Sequence, residues 1–417
     1  MRAHPSAQVL RIPDFRLMWL GAFLSFCGSW VQMVAQGWLV YELTGDKSKL
    51  ALVGFINTIP VFLSAPIMGA LVDTLDKRKV LIFCQIMFAM SAFSMAFMCW
   101  SGHIRYEYIL IAAFMNGLTG ALEMPTRQSI VSRVVPLEQL HAAIPLNAMT
   151  FNLARILGPS VGGLLYYWLG PTANYGVNGI SYIFLIGAVV KIKADLSVRT
   201  KRTEPVRDLI VEGMRYTWRE PMLRTLFIME MVLSIFALFY LNLLSAYVKD
   251  VLRMDERGLG GVMTTIGLGA ISGLIVISVL ANRPVKAKIV QTAMIMVGLA
   301  VVGMSLTTNL FLASMCFMLA GAGAVAQFNT TGALFQILAP ERMRGRVISM
   351  HVWALSGIGP LSLPFFGWMA QTRGLQPTLG IGGGVVLVTA LAYAAFDKSL
   401  GELDSRLIEI QRAVPHE

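Results

Sequence analysis

The 417-residue sequence is short of charge. Asp, Glu, Lys and Arg together make up 14% of it, against about 25% in a typical soluble domain. Hydrophobic residues make up 56%. A chain with so few charges cannot give a folded protein a water-facing surface of the usual kind. The composition therefore excludes an ordinary soluble protein and indicates one whose surface meets lipid.

The sequence also lacks the motifs of several catalytic classes. It has no G-x-x-x-x-G-K-[ST] phosphate loop, no H-E-x-x-H pair and no G-x-S-x-G elbow, which argues against ATP-driven, zinc-dependent and hydrolytic chemistry. Its four cysteines lie in apolar runs without paired spacing, so we interpret them as small apolar residues. We expect no cofactor, no bound metal and no enzymatic activity, with an intramembrane enzyme as the alternative.

The sequence is rich in long apolar runs. About 20 apolar residues cross about 30 Å of hydrocarbon as a helix, the conformation that satisfies the backbone within such a run. The runs between polar breaks predict an all-α membrane protein with about twelve spans. These spans are Leu17–Leu43, Leu50–Val72, Val80–Trp100, Tyr108–Val134, Ala142–Leu169, Thr172–Val190, Met222–Val248, Gly258–Leu280, Ile289–Leu306, Leu310–Leu338, Val347–Ala370 and Thr378–Phe396.

Positive charge is distributed unevenly among the predicted loops. The net charge of +11 would point to nucleic acid in a soluble protein. If both termini are cytoplasmic, 25 of the 34 Lys and Arg residues fall on the cytoplasmic side and 7 on the other. Because cytoplasmic loops collect positive charge, the bias predicts a multi-pass protein with both ends inside and no nucleic-acid partner.

One sizeable polar stretch divides six predicted spans from six. Its second part has apolar residues at helical spacing (Ile210, Val211, Met214 and Trp218), which predicts an amphipathic helix on the cytoplasmic membrane surface. The expected organisation is an N-terminal six-helix bundle, a linker, a C-terminal six-helix bundle and a cytoplasmic tail, at residues 1–190, 191–221, 222–396 and 397–417.

The two halves resemble each other in sequence. Each has an apolar run, a loop with Pro and Glu, and then a Gly-Pro pair in the next span. The loops begin Pro136-Leu-Glu and Pro340-Glu, 204 positions apart, and the Gly-Pro pairs at 158 and 359 are 201 apart. A near-constant offset is typical of a duplicated unit. In transporters with such repeats, the cargo site lies between the halves near the bilayer midplane.

The loop after the second predicted span carries a recognisable motif. Residues 69–79 resemble the signature G-x-L-x-D-R-x-G-R-[RK] of the major facilitator superfamily, although Thr74 and Asp76 depart from it. The positions that match are Gly69, Leu71, Asp73, Lys77 and Arg78. The resemblance implies the major facilitator fold, two pseudo-symmetric six-helix bundles that transport small molecules by alternating access.

This loop has two interpretations. Asp73 beside the N-terminus of the span that follows Arg344 and Arg346 would latch the cytoplasmic side through the helix dipole or an ion pair. Alternatively, the loop is only a basic segment that sets topology.

Glycines and prolines are concentrated at two places in the predicted spans. Gly158-Pro159 with Gly162 and Gly163 resembles the antiporter motif of the same superfamily, although Met149 replaces its leading glycine. Gly359 and Pro360 occupy the equivalent place in the second half. Glycines four apart let helices approach closely, and proline bends them. We therefore interpret all six as helix-packing residues.

Several short segments resemble one subgroup of bacterial exporters. The subgroup includes the enterobactin exporter, and the resemblance runs from about Asp14 to Phe396. It implies location in the bacterial inner membrane and a monomer that exports a siderophore or drug-like compound by proton antiport. The segments are Asp14-Phe-Arg, Trp38-Leu-Val-Tyr-Glu-Leu-Thr-Gly45, Pro125-Thr-Arg-Gln-Ser129 and Arg344-Gly-Arg-Val347.

Ionisable groups inside the predicted spans are candidates for coupling or cargo binding, because burying them in the bilayer costs about 3 kcal/mol each. Glu123 could carry a proton, contact cargo, or simply neutralise a nearby arginine, Arg127 or Arg155. Glu230 is the better candidate for a proton carrier, because the sequence shows no opposite charge deeper than Arg224; the alternative is that it reaches the membrane interface by snorkelling. Candidates for coupling or cargo are Glu123, Arg127, Asn152, Arg155 and Glu230.

Other polar and aromatic side chains are candidates for the cavity wall, with helix–helix hydrogen bonding as the alternative for each. His351 is interpreted as a gate or packing residue. The cavity candidates are Gln32, Gln36, Trp38, Tyr41, Asn57, Tyr240, Asn242, Gln327 and Asn329.

The function predicted from the sequence is secondary active export of a small amphipathic compound, with protons as the coupling ion and membrane lipids around it. A lipid or lysolipid flippase of the same fold and a non-transporting sensor or scaffold are the alternatives.

Overall fold

A computed structural model describes residues 9–197, 206–280, 283 and 285–396, which form helices and turns without a strand. The predicted tail at 397–417 lies outside the described residues. So do the side chains at 65–67, 69, 70, 73, 137, 141, 206–210, 356 and 357.

Five helices make up the first half of the chain. The longest has 52 residues and is two spans joined at a kink, since Gly170 has a left-handed φ of 70° and Pro171 follows it. This is where the sequence predicts the break between two spans. The helices are α1 (Pro13–Thr44), α2 (Lys47–Thr74), α3 (Lys77–Trp100), α4 (Tyr106–Val134) and α5 (Leu140–Lys191).

Local chemistry sets where several of these helices begin and end. Gly45 takes a left-handed φ of 60° and returns its N–H to the Tyr41 carbonyl, which ends α1. Asp46 and Asp76 cap the N-termini of α2 and α3. Each carboxylate accepts hydrogen bonds from two backbone N–H groups of the first turn, which have no partner within the helix. Tight turns between long helices therefore follow directly from single residues.

Eight longer helices follow in the second half. They are α6 (Val206–Arg219), α7 (Pro221–Phe236), α8 (Glu256–Val279), α9 (Lys286–Leu306), α10 (Leu310–Leu338), α11 (Arg344–Trp353), α12 (Leu363–Arg373) and α13 (Leu375–Phe396).

Two predicted spans are interrupted, so their prediction as continuous helices is wrong. The span predicted at Met222–Val248 is α-helical to Phe236 and then continues as a 3-10 segment and a π turn, Leu238–Leu243 and Tyr247–Val251. The span predicted at Val347–Ala370 passes through a π turn and a 3-10 turn, Ala354–Ile358 and Gly359–Ser362. Pro360 and Pro364 lack the N–H groups that a continuous α-helix would need there.

The chain packs into two compact units. The first comprises Met1–Thr203 with Leu244–Thr264, and the second comprises Glu204–Leu243 with Thr265–Glu417. The linker helix α6 thus belongs to the second unit, and the segment around the start of α8 belongs to the first. This division differs from the predicted boundaries at 190 and 222, and the two six-helix bundles with those limits remain our proposal.

Each unit has its own helix packing. In the first, α5 packs along α1 and α3, and α2 packs along α4, around a core that includes Phe15, Leu81, Ile130 and Leu185. In the second, α9 packs against α10 and α13, while α6 packs on α11. Glu212 of α6 forms an ion pair with Arg346 of α11. Trp218 of α6 is 52% exposed, so this face of the linker helix is not covered by the described residues.

The predicted internal repeat has a structural counterpart. Helices α4 and α10 both contain 29 residues, and each is followed by one 3-10 turn and then directly by the next helix. All these boundaries are displaced by 204 positions, since residue 106 corresponds to 310, 137 to 341 and 140 to 344.

Among the described residues, nine helices are long and apolar enough to cross a membrane. This number does not confirm twelve spans. The kinked α5 counts once although its apolar part covers 50 residues, α2 contains undescribed positions, and the last interrupted span is divided among short helices.

Candidate functional site

The first buried polar group lies within the first unit. Arg127 donates from Nε and Nη2 to the Glu123 Oε1, one helical turn away on α4. The two side chains are only 8% and 12% exposed. The guanidinium carbon lies 4.5 Å from the centre of the Phe26 ring, and the Gln85 Nε2 lies 3.5 Å from the same carboxylate oxygen.

This geometry bears on the alternatives for Glu123. Arginine stays charged at any physiological pH, so the two contacts from Arg127 give Glu123 a permanent counter-charge. Arg127 retains one buried nitrogen, Nη1, that has no hydrogen-bond partner among the described residues. Arg155, the other predicted partner, is half-buried on α5. The arrangement favours a structural ion pair over a proton carrier.

The second buried group lies within the second unit and joins α7 to α11. Glu230 is 0% exposed, and its Oε2 lies 2.8 Å from the His351 Nδ1. The other carboxylate oxygen, Oε1, is buried and without a partner among the described residues. The sequence shows no opposite charge near Glu230 deeper than Arg224, and the structure adds His351, a residue that is charged only when protonated. Sequence reasoning missed the pair because 121 positions separate its members.

His351 itself is held between two helices. The Phe335 ring of α10 lies 5.7 Å from the imidazole, centre to centre. Beside it, a cavity of about 450 Å³ is lined by Asn329, Gln336, Gly332 and His351, together with apolar side chains. Of the predicted cavity residues, Asn329 thus does line a cavity, and its Nδ2 donates to the carbonyl of Val325.

Tyr41 and Trp38, predicted for the cavity, belong to a cluster within the first unit. The Tyr41 hydroxyl donates to Asp250 Oδ2 at 2.6 Å, and Lys47 Nζ lies 2.7 Å from the same oxygen. Lys249 Nζ is 5.7 Å from the centres of both the Trp38 and Tyr41 rings. Both aromatic side chains are 5% exposed. Lys249 and Asp250 were not predicted, because nothing in the sequence relates the end of α1 to residues about 200 positions later.

The remaining predicted cavity and coupling residues have varied surroundings. Gln32 accepts a hydrogen bond from Asn178 at 2.6 Å, and Asn57 donates to the Ala113 carbonyl at 3.1 Å, which are helix–helix contacts. Both polar side-chain atoms of the fully buried Gln327 lack partners among the described residues. Of the others, Asn152 donates to the Ala148 carbonyl of its own helix, Tyr240 is buried beside Phe317, and Gln36 and Asn242 are half-buried.

In the 69–79 loop, the basic residues contact backbone within the first unit. Lys77 is 2% exposed and donates from Nζ to the Leu75 carbonyl at 3.1 Å. Arg78 donates from Nη2 to the carbonyls of Ile192 and Ala194, at 2.7 and 3.1 Å. These bonds tie the start of α3 to the end of α5. Gly69 and the Asp73 side chain lie outside the described side chains, and Arg344 is exposed, so the cytoplasmic latch stays a prediction.

The glycines predicted to pack helices lie at close approaches. A Cβ added at Gly163 would meet the Glu256 carbonyl oxygen at 2.7 Å, and one at Gly162 would meet Val31 Cα at 3.0 Å. Gly158 packs on Trp30, and Gly359 packs on Ser234 of α7. Pro159 lies inside α5, and Pro360 lies in the interrupted segment before α12.

One surface carboxylate has a perturbed pKa. Asp255, in the turn before α8, accepts a hydrogen bond from Arg257 Nε at 2.8 Å, and this bond holds the pKa of Asp255 below its usual value. The same carboxylate also accepts from the Gly258 N–H at 3.2 Å, so it helps to start α8.

The chain is similar to known transporters over most of its length. It is 27% identical over 400 residues to the multidrug efflux pump Tap of Mycolicibacterium fortuitum, covering 93% of this chain and 96% of that pump. It is 23% identical to the staphyloferrin A transporter of Staphylococcus aureus, covering 89% and 94% of the two chains. The crystal structure of the nucleoside transporter NupG shares its fold with a TM-score of 0.72 at 14% identity, covering 92% of this chain and 98% of that one.

A family model described as transmembrane secretion effector matches residues 5–413, nearly the whole chain. Together with the structural match, this confirms the predicted major facilitator fold and the predicted transport, rather than enzymatic, class. The chain belongs to the transmembrane secretion effector family of major facilitator exporters.

Proposed function

We propose that the protein is a secondary active exporter of the bacterial inner membrane that moves a small amphipathic compound outward in exchange for protons. Its relatives are named for multidrug efflux and for staphyloferrin A transport, which supports a drug-like or siderophore cargo. The observation that carries proton coupling is the full burial of Glu230 beside a histidine.

The two buried carboxylates differ in their partners. Glu123 is bonded by an arginine, which cannot lose its charge at physiological pH. Glu230 is bonded by His351, and histidine is a side chain that can both accept and donate protons. Glu230 is therefore a buried carboxylate whose described partner can exchange a proton with it. That is the property a coupling residue needs while a transporter alternates between two states.

The cavity beside His351 is a candidate binding site for the cargo. The cavity beside His351 offers the amides of Asn329 and Gln336 on one side and apolar side chains, including Phe328 and Leu355, on another. Pockets of this kind, mostly apolar with a few polar groups, suit small amphipathic molecules.

Everted membrane vesicles from cells without other pumps test this proposal. The probes are the lipophilic cation ethidium and staphyloferrin A. The variants are Glu230→Gln and, as control, Glu341→Gln, which removes an exposed carboxylate of the same unit. We expect at least one probe to accumulate when a proton gradient is imposed, with an uncoupler abolishing accumulation. Glu230→Gln should exchange probe without accumulating it, and Glu341→Gln should behave as wild type.

Two results would contradict the proposal. Accumulation that survives the uncoupler, or that is unchanged in Glu230→Gln, excludes coupling through this carboxylate. Movement of a fluorescent lysolipid with no movement of either probe would instead favour the flippase alternative.

A further inference from the structure

The two ring nitrogens of His351 have different surroundings. Nδ1 lies 2.8 Å from the buried Glu230 carboxylate. Nε2 faces Gly332 of α10, where an added Cβ would lie 2.9 Å away. Because residue 332 has no side chain, this nitrogen is left at the wall of the cavity of about 450 Å³ that both residues line. The imidazole therefore spans from the cavity to the carboxylate.

Glu230 has no such access of its own. Its side chain is 0% exposed, and it is not among the residues that line the cavity. The cavity is many times larger than the roughly 30 Å³ that one water molecule occupies, and the side chains of Asn329 and Gln336 on its wall are exposed and polar. Water can thus reach Nε2, and the path from water to the carboxylate that the described residues provide runs through the ring.

We propose that His351 relays protons between this cavity and Glu230, an inference that rests on the proton coupling proposed above. A hydronium ion in the cavity gives its proton to Nε2 and becomes water, which makes the ring a cation. The Nδ1 proton then passes to the Glu230 Oε2, leaving a neutral carboxylic acid and a neutral ring protonated on Nε2. Release is the reverse sequence, and its direction depends on which side of the membrane the cavity then faces.

Other titratable groups near α7 are few. The π turn and 3-10 turn at 354–362 have none, α10 has only Cys316 and α13 only Tyr393. On α11, besides His351, there are Arg344 and Arg346, and on α7 itself there is Arg224 in the first turn. The 3-10 segment after α7 has Tyr240, and α6 has Arg207, Asp208, Glu212, Arg215, Tyr216 and Arg219. Among the described contacts of Glu230, His351 is the titratable side chain within hydrogen-bond distance.

The test is the rate at which Glu230 takes up a proton. Purified protein in lipid nanodiscs is subjected to a rapid drop in pH, and the infrared band of a protonated carboxyl group is followed in time. The part of the signal missing in Glu230→Gln belongs to Glu230. In His351→Asn the amide still donates to the carboxylate but cannot pass a proton on, so uptake should slow by roughly a hundredfold, the lower end of what a positioned acid–base group contributes. In His351→Ala, where the whole ring is missing, added imidazole should restore much of the rate.

A second variant keeps both relay groups and changes only their geometry. In Gly332→Ala the new methyl group displaces the ring from the cavity wall, and we expect slower uptake. Gly345→Ala is the matched control, because nothing lies within 4 Å of a Cβ at that position of α11, and its rate should equal that of wild type. If His351→Asn does not fold, Gly332→Ala carries the test alone.

The outcomes separate the two proposals. Wild-type uptake rates in His351→Asn, or in Gly332→Ala, overturn the relay while leaving coupling through Glu230 intact. A wild-type protein in which no Glu230-dependent carboxyl band appears between about pH 5 and 9, the range around the histidine pKa, defeats proton coupling itself.

Discussion

Replacing Arg127 by methionine removes the guanidinium from the first unit but keeps a side chain of similar length. Glu123, whose side chain is 12% exposed with Arg127 in place, keeps the Gln85 amide 3.5 Å away. Removing one member of a buried ion pair costs about 3–5 kcal/mol, and the lost contact with the Phe26 ring adds about 0.5–2 kcal/mol. We therefore expect the free energy of unfolding to fall by about 3.5–7 kcal/mol.

The assay is reversible unfolding in mixed micelles, with the free energy of unfolding taken from the fraction folded against detergent composition. The double variant Glu123→Gln with Arg127→Met should recover most of the loss, because replacing both members of a buried pair is close to neutral. Arg105→Met, the same change at an exposed arginine just before α4, is the control and should have little effect. Equal losses in the single and double variants would refute the assignment of Arg127 as the partner of Glu123.

Three further predictions concern the stability of the helices and turns of the protein. Gly163→Ala should lower the free energy of unfolding by about 1–3 kcal/mol, because the new Cβ meets a carbonyl oxygen at 2.7 Å. Gly176→Ala is the control and should leave it unchanged, since nothing lies within 4 Å of a Cβ there. Equal unfolding free energies for the two variants would contradict the close approach at Gly163. Asp76→Ala should lower the free energy of unfolding by about 1 kcal/mol, because it removes the N-terminal cap of α3. An unchanged melting temperature would show that this cap does not stabilise the protein. The pKa of Asp255 is lowered in the folded protein. Its contribution to stability is therefore fully present above the pKa of about 3.9 that Asp has in an unfolded chain, and it is lost as the pH falls through the pKa of Asp255 in the folded protein. The melting temperature of Asp255→Asn should therefore fall less than that of wild type between about pH 5 and 3. The same pH dependence in both proteins would contradict this contribution of Asp255.

Much of the architecture was predictable because the bilayer imposes simple rules. Long apolar runs specify helices, and Gly170-Pro171 specifies the break in α5. The Glu123–Arg127 pair was also within reach, since side chains four apart on a helix are neighbours. The repeat offset near 200 predicted two related halves, and the shared boundaries of α4 and α10 agree with it.

What sequence could not predict depends on contacts between distant segments. Hydropathy gives the same signal for a continuous helix and for one with π and 3-10 turns, so the interruptions after Phe236 and Trp353 were missed. His351 was interpreted alone because its partner lies 121 positions earlier. The Tyr41–Asp250 bond spans 209 positions, and no local pattern identifies it.

Proton movement coupled to cargo in proteoliposomes tests the central claim most directly. Purified protein is reconstituted with an internal pH-sensitive dye, and an ethidium or siderophore gradient is imposed without a pH gradient. Our account predicts that cargo moving one way drives protons the other way, changing the internal pH in wild type but not in Glu230→Gln. Cargo flux in wild type without any change of internal pH would contradict it, as would an equal change in Glu230→Gln.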